Sequence, residues 1–178
     1  IIYAALRQYE NKLIVTNGDQ TDTIYEHLEK GGTFEEALRT RQFEPDFPNM
    51  TPRISGMIAF GEDDFEYKIS ILKSGNREGT KSGRYTFEYE SDPGLGHFIH
   101  TYQQDGNPLP TFLGEPKRVD IPDDIDSFTE GLWEGLDGDN KISLLLVGSR
   151  AETAQHRHFR SDISVLALLY LRYLDACL

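Results

Sequence analysis

Three closely spaced prolines, Pro45, Pro48 and Pro52, constrain the possible folds of this chain more than any other feature. A proline ring fixes φ and removes a backbone donor, so no helix can continue through this stretch, and the residue before each proline favours an extended conformation. We therefore predict a stiff loop between a helix and a strand, either a solvated surface connection or part of a binding site. The charged side chains that the loop displays are Arg39, Arg41, Glu44, Asp46 and Arg53.

Short apolar runs predict the strands of the chain. Turn residues such as glycine, proline, asparagine and aspartate separate these runs, and the first two strands are expected to pair as a hairpin. The predicted strands are residues 1–6, 13–16, 53–60, 65–72, 84–89, 97–102 and 141–147.

Caps and apolar periodicity predict four helices near the two ends of the chain. Thr21 or Asp22 can cap the first helix, and a capping box at residues 33–36 begins a short second one. An apolar stripe predicts a third helix over residues 123–136, and the strongly apolar residues 162–176 predict a final helix, buried in the domain or against a partner subunit. The pattern predicts an α+β fold in which helices cover antiparallel sheets.

The composition limits the number of domains and the kind of partner. A chain of 178 residues with ordinary apolar content suits a single domain, residues 1–178. Its formal charge of −12 repels nucleic acid and anionic membranes, although a few arginines can focus a local field on a small anionic ligand. The single cysteine, Cys177, excludes an intramolecular disulfide. Because no apolar run can span a membrane and no leader is visible, we expect a cytoplasmic protein.

Asn17, Gly18, Thr21 and Asp22 lie where an apolar strand ends and a helix begins. Backbone N–H groups at such a place favour an anionic ligand, so these residues are candidates for substrate binding. The alternative is that the same side chains only cap the helix.

Two stretches of the chain carry a resemblance to a known family. NGDQTDTI at residues 17–24, followed by ALRTRQFEPDFPNMTPRISG at residues 37–56, resembles the archaeal-type IMP cyclohydrolase family. The resemblance spans residues 1–56 and continues, less closely, over HFIHTYQQDGNPLPTFLGEP at residues 97–116.

This resemblance implies a fold and an activity. The fold is a four-layer αββα sandwich like that of N-terminal-nucleophile hydrolases, with an N-terminal segment carrying a catalytic arginine before Ile1. The activity is a step of purine biosynthesis, the closure of 5-formamidoimidazole-4-carboxamide ribonucleotide to IMP with loss of water, catalysed by a hydrolase of the type that acts on cyclic amidines. No metal or cofactor is expected. The expected ligand is a purine nucleotide, and the apolar final helix suggests a homo-oligomer.

Glu44 and Tyr3 are the candidate catalytic residues. Glu44 stands between Phe43 and Pro45, and a carboxylate beside an aromatic ring is suited to proton transfer; the resemblance places an active-site glutamate here. The resemblance also places a tyrosine near the substrate at Tyr3, although Ala4 stands where the family often has asparagine. The alternatives are a solvent-facing glutamate and a core tyrosine.

Arg53 and Arg41 are the candidate anion-binding residues. Arg53 follows a proline, so its orientation is fixed by stiff backbone, and a guanidinium can hold a phosphate through two hydrogen bonds. The alternative for both arginines is a surface salt bridge with Asp46 or Glu44, which contributes little to stability.

Histidine pairs do not favour a metal site. His97 and His100 face opposite sides of their predicted strand, and His156 with His158 lacks an evident third ligand. Two other functions remain open at this point. One is a non-catalytic purine-nucleotide-binding protein, and the other is an amide hydrolase of the same fold that acts through a residue before Ile1.

Overall fold

The computed structural model describes residues 3–62, 64–122, 124–136 and 138, together with the backbone of residues 141–147 and 167–172. The chain forms two compact units. The first contains Ile1–Ser91 and His97–Arg118, and the second contains Asp92–Gly96 and Val119–Leu178. Because the described part combines a five-stranded antiparallel sheet with a few helices, the predicted α+β class is confirmed.

The first unit is built on a sheet whose strands follow one another in chain order. Each strand pairs antiparallel with the next; short connections join all of them except the second and third, between which residues 17–52 intervene. This arrangement places the end of the second strand, the start of the third, the end of the fourth and the start of the fifth at one end of the sheet. The strands are β1 Leu6–Tyr9, β2 Lys12–Thr16, β3 Arg53–Phe60, β4 Phe65–Ser74 and β5 Ser82–Glu90.

Two helices, α1 Gln20–Glu29 and α2 Phe34–Arg39, pack on one face of this sheet. The predicted capping box is confirmed, because the Glu36 N–H donates to the Thr33 hydroxyl while the Glu36 carboxylate accepts from the Thr33 N–H. The apolar side chains that form the core between sheet and helices are Ile14, Ile24, Leu28, Phe34, Ala37, Leu38, Met57 and Leu72.

The first hairpin exists, but its first strand lies later than predicted. β1 begins at Leu6, and the chain turns after Tyr9 through Glu10, which has a φ of 50°. Since β2 ends at Thr16, Tyr3 and Ala4 have no strand residue opposite them, and Tyr3 lies in irregular backbone beside the sheet end.

The start of α1 also differs from the prediction. Asp19, rather than Thr21 or Asp22, is the N-cap residue, and its side chain makes no capping hydrogen bond. Thr21 lies inside the first turn with its hydroxyl bonded to Thr16 and to the Gly18 carbonyl. The prediction was wrong because the helix already begins at Gln20, and Asp19 makes no capping bond because Arg41 and Arg53 engage its carboxylate.

The proline-rich loop between α2 and β3 is held closed by Asp46. Its carboxylate accepts from the Thr51 N–H at 2.7 Å and from the Thr51 hydroxyl, and the Glu44 N–H donates to the Thr51 carbonyl at 2.9 Å. The Thr51 hydroxyl also contacts the Tyr102 hydroxyl, and Asn49 accepts from the Leu109 N–H at 3.1 Å. The loop is therefore fastened to the later segment around residues 101–112.

Outside the main sheet, the predicted strand at residues 97–102 is only partly correct. The strand is β6 Leu95–Phe98, which pairs with the short strand β7 Lys117–Asp120, whereas Tyr102 makes a single bridge to Thr111. Proline-containing turns on the C-terminal side of Tyr102 leave no partner for a longer strand.

The second unit contains α3 Ile125–Gly135, β8 Lys141–Val147 and β9 Ala167–Arg172, and the two strands pair antiparallel. The predicted final helix is wrong over residues 167–172, which form a strand; the rest of that prediction lies outside the described residues. A short apolar run suits a buried strand as well as a buried helix, and periodicity alone cannot separate them. Within the described part of the chain, no helix has the length and hydrophobicity that a membrane crossing requires.

Candidate functional site

Asn17 organises the polar end of the sheet. Its side-chain oxygen accepts from the Ile54 N–H at 2.8 Å, and its amide nitrogen donates to the Pro52 carbonyl at 3.0 Å. The Asn17 side chain thus continues the pairing of β2 with β3 by one residue. Its carbonyl oxygen accepts a hydrogen bond from the Tyr3 hydroxyl at 3.1 Å, which brings the predicted phenol to this end of the sheet. The amide also donates to Thr101 at 3.3 Å.

Arg53 lies at the first position of β3 with its side chain only 10% exposed. One terminal nitrogen contacts the Asp19 carboxylate at 2.5 Å and the Gln20 side-chain oxygen at 2.8 Å, and the other contacts the Glu44 carboxylate at 2.8 Å. Such pairing is required, because a buried charge without partners costs several kcal/mol. The Arg53 Nε is buried and has no hydrogen-bond partner among the described residues.

Asp19 joins the two candidate arginines. Its carboxylate accepts from both Arg41 and Arg53, and Arg41 also donates to the Thr23 hydroxyl at 3.4 Å. The hydrogen bond from Arg41, followed by that from Arg53, lowers the pKa of Asp19 despite partial burial. The sequence reasoning missed Asp19, although it stands inside the NGDQTD stretch and immediately precedes the first helix.

Glu44 and Tyr3 lie close enough to interact electrostatically. Burial raises the pKa of Tyr3, the Glu44 charge raises it further, and the Arg53 charge lowers it in part. The phenol therefore stays protonated near neutral pH and acts as a donor. The Glu44 side chain is 37% exposed, and its carboxylate is bonded to Arg53. The structure thus gathers the predicted acid, guanidinium and phenol at one place.

Gly18 and Thr21 pack within the polar network at this end of the sheet. A Cβ at Gly18 would lie 2.5 Å from the Gln20 side-chain oxygen and 2.8 Å from an Arg53 nitrogen, so only glycine fits without displacing them. Thr21 is buried, and its hydroxyl is hydrogen-bonded to Thr16 and to the Gly18 carbonyl. Asp22 lies apart from this network and pairs with Arg7 at 2.8 Å.

An open concavity of about 320 Å³ adjoins the network. Three guanidinium groups contribute to it, from Arg41, Arg53 and Arg84, and the sequence reasoning did not single out Arg84. Tyr3 and Glu44 are not among its lining residues, although Glu44 is bonded to Arg53, which is. The lining residues are Thr40, Arg41, Gln42, Phe43, Pro45, Arg53 and Arg84.

His97 and His100 do not converge on a common site. His97 Nδ1 lies 2.5 Å from the Tyr67 hydroxyl and its ring stacks on Tyr89, whereas His100 Nδ1 lies 2.5 Å from the Tyr102 carbonyl. Among the described residues, no group of three or more histidine, cysteine, aspartate or glutamate side chains could hold a metal ion. His156 and His158 lie outside the described residues.

The fold and this site together define an α+β protein with a charged network and an arginine-lined concavity at one end of an antiparallel sheet. A comparison with protein-family models matches residues 1–153 to the IMP cyclohydrolase-like protein family. The chain belongs to that family, as the two sequence stretches indicated. No curated protein matches the chain.

Proposed function

We propose that this protein is an IMP cyclohydrolase that closes 5-formamidoimidazole-4-carboxamide ribonucleotide to IMP and water, a step of purine biosynthesis. The observation that supports this assignment most directly is the meeting of Tyr3, Arg53 and Glu44 at one sheet end in a member of the IMP cyclohydrolase-like family. The proposed class is a hydrolase of the type that acts on cyclic amidines.

The proposed reaction consists of two proton-transfer steps. The carboxamide nitrogen attacks the formyl carbon, a C–N bond forms, and the formyl oxygen becomes a hydroxyl as the nitrogen loses one proton. The resulting carbinolamine then loses that hydroxyl, with a second nitrogen-bound proton, as water. Neither step changes an oxidation state, and both gain from holding the reacting atoms together, because well-oriented intramolecular reactions reach effective molarities of about 10⁵–10⁸ M.

Each candidate residue has a proposed role in this reaction. Tyr3 stays protonated, so its hydroxyl can turn from the Asn17 carbonyl to donate to the formyl oxygen. Glu44 accepts the proton from the attacking nitrogen and passes it on during dehydration. Arg53 orients Glu44 through their contact at 2.8 Å. Asn17, Gly18, Thr21, Asp22 and Arg41 were also predicted to bind substrate; of these, we assign Asn17 and Gly18 to shaping the pocket and Arg41 to the anion.

The proposal also covers the complete fold, the cellular location, the oligomeric state and the ligand. We expect the five-stranded sheet to be half of a four-layer αββα sandwich within one domain over residues 1–178, and the protein to act in the cytoplasm as a homo-oligomer. The proposed ligand is a purine nucleotide, and neither nucleic acid nor membrane is an expected partner.

The rate of IMP formation by the full-length protein tests the assignment. We expect Glu44→Gln to lower kcat by roughly 10²–10⁴-fold, the range for loss of a proton-transferring side chain. Glu26→Gln, the same change on α1 where an exposed Glu26 faces Lys30 at 3.9 Å, is the matched control and should retain activity.

The possible outcomes separate the three functions. Undiminished turnover in Glu44→Gln would remove Glu44 from the mechanism. A wild-type protein that binds IMP in calorimetry but never forms it would instead be a non-catalytic nucleotide-binding protein. Release of ammonia from an amide substrate would indicate the amide hydrolase.

A further inference from the structure

Arg84 is brought to the site by strand pairing alone. Arg53 on β3 is opposite Leu72 on β4, and Leu72 is opposite Arg84 on β5. Directly opposite residues in antiparallel strands point to the same face of the sheet, so both arginines lie on the face that α1 and α2 cover. Two strand spacings separate their backbones, which amounts to about 10 Å.

The Arg84 side chain is turned toward the loop after α2. One terminal nitrogen donates to the Arg41 carbonyl at 2.8 Å, which holds the guanidinium at the rim of the concavity. Among the described residues, no carboxylate lies within 4.0 Å of the Arg84 guanidinium, whereas Arg41 and Arg53 are both engaged by Asp19. Most N–H donors of the Arg84 guanidinium therefore remain available to a ligand.

The concavity collects positive charge in a strongly acidic chain. Three guanidinium groups line it, and only the Asp19 and Glu44 carboxylates contact any of them among the described ion pairs. A formal charge of −12 would repel an anion elsewhere, so this local excess determines where an anion can bind.

We propose that Arg84, together with Arg41 and Arg53, forms a phosphate-monoester subsite in this concavity. Planar guanidinium groups match the oxygens of a phosphate through paired hydrogen bonds, and the cluster keeps a net positive charge after pairing with Asp19 and Glu44. The subsite deepens the proposed function, since it rests on a nucleotide being the ligand. It leaves Tyr3 and Glu44, outside the lining, to face the base.

Calorimetric titration of the full-length protein with three probes tests the subsite. IMP carries base, ribose and phosphate, ribose 5-phosphate lacks the base, and inosine lacks the phosphate. We expect Arg84→Ala to weaken binding of IMP and of ribose 5-phosphate by roughly tenfold or more, and to leave inosine binding unchanged. Arg84→Lys keeps the charge but loses the fork, so its affinity should fall between the two.

Arg118→Ala is the matched control. Arg118 lies on β7 and acts electrostatically on Tyr89, which is paired with Tyr67 toward the opposite end of β4 and β5. The same loss of charge there should change none of the three affinities. Urea midpoints of all variants should match that of the wild type, because Arg84 and Arg118 are both exposed.

The results distinguish this proposal from the activity assignment. Three results would each overturn the subsite. In the first, Arg84→Ala binds ribose 5-phosphate as tightly as the wild type does; in the second, it loses as much affinity for inosine as for IMP. In the third, the wild-type protein binds neither IMP nor ribose 5-phosphate. If the wild type shows Arg84-dependent binding of IMP but no ring closure, the subsite stands and the proposed catalysis falls.

Discussion

Replacing Gly18 with alanine tests the packing that fixes Arg53. The new Cβ would lie 2.5 Å from the Gln20 side-chain oxygen and 2.8 Å from an Arg53 nitrogen, whereas ordinary contact begins at 3.4 Å. The two groups must therefore retreat by about 0.9 and 0.6 Å, the differences between those distances. Both are ends of flexible side chains, so we expect the fold to persist at a cost of about 1–3 kcal/mol.

The displacement of the Gln20 and Arg53 side chains should affect activity more than stability. Moving the Arg53 guanidinium weakens its contacts with Gln20 and Glu44, both at 2.8 Å. Hydrogen bonds to charged groups contribute about 1.5–3 kcal/mol each, so losing one that orients the reacting acid should lower kcat at least tenfold. Urea unfolding and the rate of IMP formation measure the two effects on the same samples.

Gly56→Ala is the matched control for this prediction. Gly56 lies on β3 of the same sheet, and the nearest atoms to its Cβ position are carbonyl oxygens at 3.9 Å, which is ordinary contact. It should retain near wild-type activity. If Gly18→Ala is as stable and as active as Gly56→Ala, then the close approach of Gln20 and Arg53 to Gly18 does not hold the acid in place.

Two further predictions concern charge and proton donation at the site. Because Arg41 and then Arg53 lower the pKa of Asp19 below its ordinary 3.8 in the folded protein, the stability from this carboxylate is complete above that value and lost as pH falls through the lowered one. Asp19→Asn should therefore flatten the decline of the urea midpoint below pH 3.8, and an acid limb identical to that of the wild type would contradict this. Tyr3→Phe should lower kcat by roughly a hundredfold with little change in KM, since it removes the proposed donor to the formyl oxygen. A selective rise in KM would assign Tyr3 to substrate binding instead, and unfolding should show a loss of only about 1 kcal/mol from the bond to Asn17.

The sequence predicted correctly those parts of the structure that neighbouring residues determine. The capping box of Thr33 and Glu36 depends on residues three apart, and it formed as predicted. The strand pair on either side of residues 61–64 also formed, because alternation and a turn specify it locally. The meeting of Glu44 and Arg53 could be anticipated because a short, stiff loop joins them.

Features that depend on distant pairing could not be predicted in this way. Arg84 reaches the concavity because β4 and β5 pair in one particular register, and no local pattern encodes that register. Asp19 could not be singled out from the sequence, since its role depends on arginines 22 and 34 residues away. The sequence of the strand Ala167–Arg172 predicts a helix as readily as a strand, because an apolar run lacks the polar alternation that would reveal its period.

The fastening of the proline loop to the later segment has a consequence for protein engineering. Glu44 is held through its own N–H by Thr51, and Thr51 is held in turn by Asp46 and Tyr102. Transplanting residues 39–54 into another scaffold would carry the acid without the support that aims it. A working graft must bring along the hydroxyl of Tyr102 and the amide of Leu109, which lie more than fifty residues further along the polymer.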